Sequence, residues 1–165
     1  MDLDAARDFF DRDDKTKKEF EKWAVTRIGF LPQTKKGADG GMDGMRWFGP
    51  REEHKAIVSV KGGKTVNVEM VRSLDAVVKA QKAQVGVLLS LERPTEAAHD
   101  WARQGGVFEV EGFQPVPRLQ IVTIEEALAL RERAVRLPAL SAAPVKAAPK
   151  EEAKGAVRDL FGEPS

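Results

Sequence analysis

The stretch Gly37-Ala-Asp-Gly-Gly-Met-Asp-Gly44, then a short apolar strand, a turn and Ile57-Val-Ser-Val-Lys-Gly-Gly-Lys64, decides how this chain is read. It sets an acid, Asp43, on a glycine-rich corner and a lysine, Lys61, at the end of the following strand. Side chains two apart on a strand point the same way, so Ser59 and Lys61 share one face while Val58 and Val60 turn to the other and to the core. Asp43 opens the partner strand, where a hairpin would bring it alongside Lys61. Gly40, Gly41 and Gly44 leave the backbone free to bend between the two.

Outward from that corner, Met42 to Phe48 reads as a strand, Gly49-Pro50-Arg-Glu-Glu as its turn and Ala56 to Lys61 as the second arm of a hairpin. Upstream, Phe20, Trp23, Ala24 and Ile28 recur at spacings of three and four from Thr16 onward, a helix that Gly29 closes. Leu31-Pro32-Gln-Thr-Lys-Lys reads as a loop or irregular strand. Downstream, Asn67 caps a helix that lines up Val71, Leu74 and Val78. Gln84-Val-Gly-Val-Leu-Leu-Ser90 is apolar almost throughout, as a buried central strand is. Pro94 to Gln104 reads as a helix ended by Gly105-Gly106, Leu119 to Ile124 as a strand, and Glu125 to Arg133 as the last helix. This alternation specifies an α/β sandwich with a mixed central β-sheet flanked by helices. The chain divides into a polar N-terminal segment (1–14) with Asp11, Asp13 and Asp14 as candidate caps, a folded domain (15–136) and an Ala/Pro/Lys-rich tail (137–165). From about Pro138 the composition buries too little apolar surface to order itself, so the tail is expected to be disordered.

Composition narrows the chemistry. A chain of 165 residues can bury a full core unaided. The absence of cysteine excludes disulfides and thiolate zinc sites, and His54 and His99 alone exclude a histidine-rich metal cluster. No apolar run nears the roughly 20 residues of a membrane span, and Met1-Asp-Leu-Asp-Ala-Ala-Arg7 lacks the basic-then-apolar order of a signal peptide. A cytoplasmic protein is expected. Net charge is only +1, so any nucleic-acid surface must come from how charges are distributed. Lys35 and Lys36 precede the acidic corner, and residues 61–82 carry Lys61, Lys64, Arg72, Lys79 and Lys82 against Glu69 and Asp75 alone. A basic stretch beside an acid and a lysine suits phosphate tracking, with Lys35, Lys36, Lys64 and Arg72 as the contacts; Lys79 and Lys82 fit a solvated helix face nearly as well.

The acid and the lysine have a specific use. Hydrolysing a phosphodiester requires charge neutralisation at the phosphate and a hydroxide beside it, and a carboxylate-held Mg²⁺ with a lysine can supply both. The bland alternative for Asp43 is a turn residue, since Asp-Gly fits bends, and for Lys61 a solvent lysine at a strand end. Two look-alikes fail. Gly63-Lys64-Thr65 echoes a phosphate loop but has Val58 where the glycine belongs. Asp39-Gly-Gly-Met-Asp43-Gly echoes a calcium loop but has Pro50 where a bidentate Glu belongs. Ser59 has no histidine near it in sequence and no nucleophile elbow around it.

The run Phe20-Glu-Lys-Trp23, Lys35-Lys-Gly-Ala-Asp-Gly-Gly-Met-Asp-Gly44 and Ile57-Val-Ser-Val-Lys-Gly-Gly-Lys64 resembles the Mrr-like restriction endonuclease domain of the PD-(D/E)xK superfamily. It is most similar to the version appended to site-specific DNA methyltransferases. Val85-Gly-Val-Leu-Leu89, Glu92-Arg-Pro-Thr95 and Leu119-Gln-Ile-Val-Thr-Ile-Glu-Glu126 carry the same resemblance, which spans roughly residues 15–130. It implies a restriction-endonuclease-like fold, double-stranded DNA as substrate, Mg²⁺ as cofactor with Mn²⁺ as substitute, and a methyltransferase as a candidate partner. It also implies roles: Asp43 as metal ligand, Lys61 as catalytic lysine, and the Val60 backbone carbonyl as a second ligand. Ser59 falls where the pattern has Glu or Gln, and a serine hydroxyl is a poor ligand for a hard cation. Glu21, on the first helix, is the acid the resemblance offers in compensation, with Asp39 as second choice. A homodimer would suit double-strand cleavage, since one site cuts one strand. The alternative is a catalytically inactive DNA-binding module that targets or accompanies a methyltransferase.

Overall fold

In the computed structural model, which describes residues 2–11, 14–33, 41–63 and 65–138, all six residues of Val85–Ser90 are buried. Only a strand covered on both faces permits that. In chain order the elements are α1 (Leu3–Asp11), α2 (Asp14–Arg27), β1 (Leu31–Pro32), β2 (Gly44–Phe48), β3 (His54–Lys61), α3 (Val68–Ala80), β4 (Val85–Ser90), α4 (Glu96–Arg103), β5 (Val107–Phe108), β6 (Val116–Pro117), β7 (Leu119–Thr123) and α5 (Ile124–Leu130), then a 3₁₀ turn over Arg131–Ala134. The main sheet runs β1-β2-β3-β4-β7. Its first two pairings are antiparallel and its last two parallel, so the sheet is mixed as expected.

Strand alternation divides the core in two. Ala56, Val58 and Val60 of β3 and Val85, Val87 and Leu89 of β4 pack with Phe20, Ala24 and Val25 of α2 and with Ile124 and Ala127 of α5. Ile57 and Leu88 turn the other way, against Val71, Leu74 and Val78 of α3 and Ala98 and Ala102 of α4. Gly86 on that second face admits α3: a Cβ there would collide with Val78 and lie 3.3 Å from Leu74 Cγ. Asn67 caps α3 by accepting from the Met70 amide, and Thr95 and Thr123 cap α4 and α5 in the same way.

The structure adds what the sequence left out. Within the segment read as polar, Leu3–Asp11 is a helix whose Ala6 is fully buried and whose Phe9 stacks on Phe20 at 5.6 Å between ring centroids. Leu31-Pro32 is a true edge strand on β2. β5 and β6 form a separate two-stranded pair. Leu137 is still buried in the core, and residues 139–165 lie outside the described residues. No helix among the described residues is long and apolar enough to cross a membrane.

Candidate active site

The antiparallel ladder between β2 and β3 ends at Gly44↔Val58, and Asp43 sits just past that end. The Asp43 amide still donates to the Val58 carbonyl at 2.8 Å, so the backbone follows β3 for one more residue. Its side chain then takes over the ladder: Oδ2 accepts from the Val60 amide at 2.7 Å. N–H and C=O of one strand residue point to the same edge, so the Val60 carbonyl opens toward the side on which the Asp43 carboxylate lies. The two ligands that the resemblance assigns therefore share one edge of β3.

Two neighbouring charges, Lys61 and Glu21, interact with this carboxylate. Burial pushes the Asp43 pKa above the ordinary carboxylate range, while the Val60 amide and the Lys61 ammonium oppose that rise. Glu21 on α2 is raised as well, first by burial and then by repulsion from Asp43, with Lys17 and Lys61 acting against it. Asp43, Glu21 and Lys61 thus form one electrostatic unit. The sequence expected Lys61 beside Asp43, and Lys61 does act on Asp43 through its charge; the direct hydrogen bond is to the neighbouring Val60 amide.

Ser59 is 5 % exposed, and its hydroxyl donates to the Gly41 carbonyl at 2.6 Å. It ties the glycine corner to β3 instead of presenting an oxygen to the acids. Close packing holds the corner from the other side: a Cβ on Gly44 would collide with Val25 of α2 and sit 3.0 Å from both the Leu31 carbonyl and Val58 Cγ1. The absent side chain lets α2 come near enough for Glu21 to feel Asp43.

The expected DNA contacts are placed unevenly. Arg72, exposed on α3, pairs with Glu69 at 2.7 Å and lies over the Trp101 ring at 5.9 Å, so it faces α4. Lys35, Lys36 and Lys64 lie outside the described residues, as does Asp39. The sequence reading missed Lys17, which stands one helical turn before Glu21 and lowers its pKa. Its four-residue offset from Glu21 was the available signal.

Among the described residues no three His, Asp or Glu side chains converge on one point. A divalent ion here would draw on Asp43, Glu21, the Val60 carbonyl and water. Mg²⁺ accepts such a set, because it keeps several waters and needs only one or two carboxylates. Two half-buried acids that repel each other, both with raised pKa values, are also what a bound cation relieves.

The profile of the Mrr-type catalytic domain, described as a restriction endonuclease, matches residues 13–113 of this chain. That span holds every acid and lysine of the cluster, from Lys17 to Lys61. Comparison with curated proteins and with solved structures gave no match.

Proposed function

The chain belongs to the Mrr-type restriction endonuclease family, and from that premise we propose that it hydrolyses phosphodiester bonds of double-stranded DNA with Mg²⁺. The observation that carries the reading is the pairing of Asp43 with the Val60 amide one residue before Lys61. It fixes an acid, a backbone carbonyl and an ammonium on one strand end. Asp43, the Val60 carbonyl and Glu21 would hold the ion, which when bound supplies charge neutralisation at the phosphate and an acidified water. Lys61 holds its positive charge beside the scissile phosphate, where negative charge grows during attack. Glu21 would supply the carboxylate that Ser59 does not, and Lys17 offsets part of the rise in the Glu21 pKa.

The hydroxyl of Ser59, turned to the Gly41 carbonyl, favours a second reading. In it the domain binds duplex DNA without cutting and serves to target a methyltransferase. Calorimetric titration of Mn²⁺ into wild type, Asp43→Ala and Glu21→Ala, each with a short duplex present, separates the two. Loss of the binding heat in both variants supports a Glu21-assisted metal site. Absence of heat in the wild type turns the account to the non-cutting module.

A further inference from the structure

Ser90 pairs with Lys61 on one side and with Thr123 on the other, so Lys61, Ser90 and Thr123 stand in one row across the sheet. Neighbouring strands lie about 4.8 Å apart, which puts the Thr123 backbone about 10 Å from that of Lys61. Thr123 forms part of the wall of a cleft of about 500 Å³ between β7 and the starts of α4 and α5, lined also by Arg93, Glu96, His99, Ile121 and Glu125.

The cleft has a rigid wall and free rims. The hydroxyls of Thr95 and Thr123 accept from the Ala98 and Glu126 amides, and the Glu126 carboxylate accepts in turn from the Thr123 amide at 2.9 Å. Those groups are committed to capping. Arg93, with an 86 % exposed side chain, touches Glu125 only at 4.0 Å. Glu96 and His99 are also exposed. The rim therefore offers one donor fork and two carboxylate acceptors, all reachable from solvent.

Resting on the duplex-cleaving reading above, we propose that this cleft reads base edges of the same DNA whose backbone lies at Lys61. Successive phosphates of one strand are about 3.4 Å apart along the axis, so a duplex whose axis follows this row would have the cleft about three base pairs from the scissile position. Three glutamates repel phosphate, which leaves the base edges as the fitting ligand. A guanidinium such as that of Arg93 suits the guanine O6/N7 pair, and carboxylates such as Glu96 and Glu125 suit the cytosine N4 amino group. None of these residues belongs to the cutting cluster, so they set where the enzyme acts and not whether it can.

Selection of bound duplexes from a random pool, without divalent ion, tests this with wild type, Arg93→Ala and Glu96→Ala/Glu125→Ala. Wild type should enrich a motif, and Arg93→Ala should lose preference for guanine at one position by about tenfold or more. The double variant should lose preference for cytosine at a different position. Affinity for unselected duplex should change less than about threefold on Arg93→Ala, which a folding defect would not allow. An unchanged motif in the variants overturns the proposal, as does duplex binding by wild type with no motif at all. Failure of wild type to bind any duplex overturns the duplex reading itself.

Discussion

Asp43 Oδ2 accepts from the Val60 amide at 2.7 Å, and so stands in for the strand partner that β2 no longer provides. The bond makes the carboxylate an extension of the ladder, with a position set by β3 itself. Because Lys61 follows Val60 directly, acid and ammonium are fixed by adjacent peptide units.

The raised carboxyl pKa values carry a stability consequence. Burial first, and for Glu21 the Asp43 charge second, lift both groups above their ordinary range. The folded protein then binds more protons than the unfolded chain just above that range, and its stability falls as pH rises through that window. Glu21→Gln is expected to be more stable than wild type at pH 7, by less than about 1 kcal/mol because solvent reaches the group. The gain should vanish near pH 3, where both forms are neutral. Urea unfolding at the two pH values checks it, and a variant less stable at pH 7 would contradict the electrostatic account.

Lys17 holds down the Glu21 pKa, so Lys17→Ala should raise it further. In the cutting enzyme, the acidic limb of kcat/KM against pH should move to higher pH. Glu21→Gln combined with Lys17→Ala should show no such movement. A limb that stays in place in Lys17→Ala would remove Glu21 from the ionisation that limits the rate.

Ser59→Ala deletes the hydroxyl that donates to the Gly41 carbonyl. Gly41 is exposed, so water can replace the donor, and the cost should be about 1 kcal/mol. A loss beyond about 3 kcal/mol in chemical denaturation would mean that Ser59 does more than tie the corner.

Gly44→Ala tests the close approach of α2. The added methyl meets Val25 and crowds the Leu31 carbonyl, which should cost about 1–3 kcal/mol. The shift should also weaken Mn²⁺ binding by moving Glu21 from Asp43. Full stability with unchanged metal affinity would show that the corner tolerates the side chain.

Much of this fold was legible because its elements announce themselves locally. Val85–Ser90 is apolar almost throughout, Asn67 sits where a cap belongs, and glycines mark the breaks. The α1 helix was readable but overlooked: Leu3, Ala6, Phe9 and Phe10 recur at spacings of three and four, the signal that marks α2, but the surrounding acids gave the segment a polar look. β5 and β6 have two residues each, too short for any pattern. At the corner, the approach of Asp43 to the end of β3 could be read from strand spacing. The closeness of Glu21 to Asp43 could not, since it depends on how α2 seats on Gly44 and Val58 across 21 intervening positions. The role of Ser59 was equally hidden, because its partner is a backbone oxygen.

The most direct measurement is cleavage of supercoiled plasmid, modified and unmodified, by wild type, Asp43→Asn and Lys61→Ala in Mg²⁺, Mn²⁺ and EDTA. Wild type should nick or linearise the plasmid only with a metal ion. Asp43→Asn should fall to background while still binding duplex, and Lys61→Ala should lose about 10²–10³-fold in rate. Plasmid left intact by wild type in both ions on every substrate, or cut equally well by Asp43→Asn, would contradict the central claim.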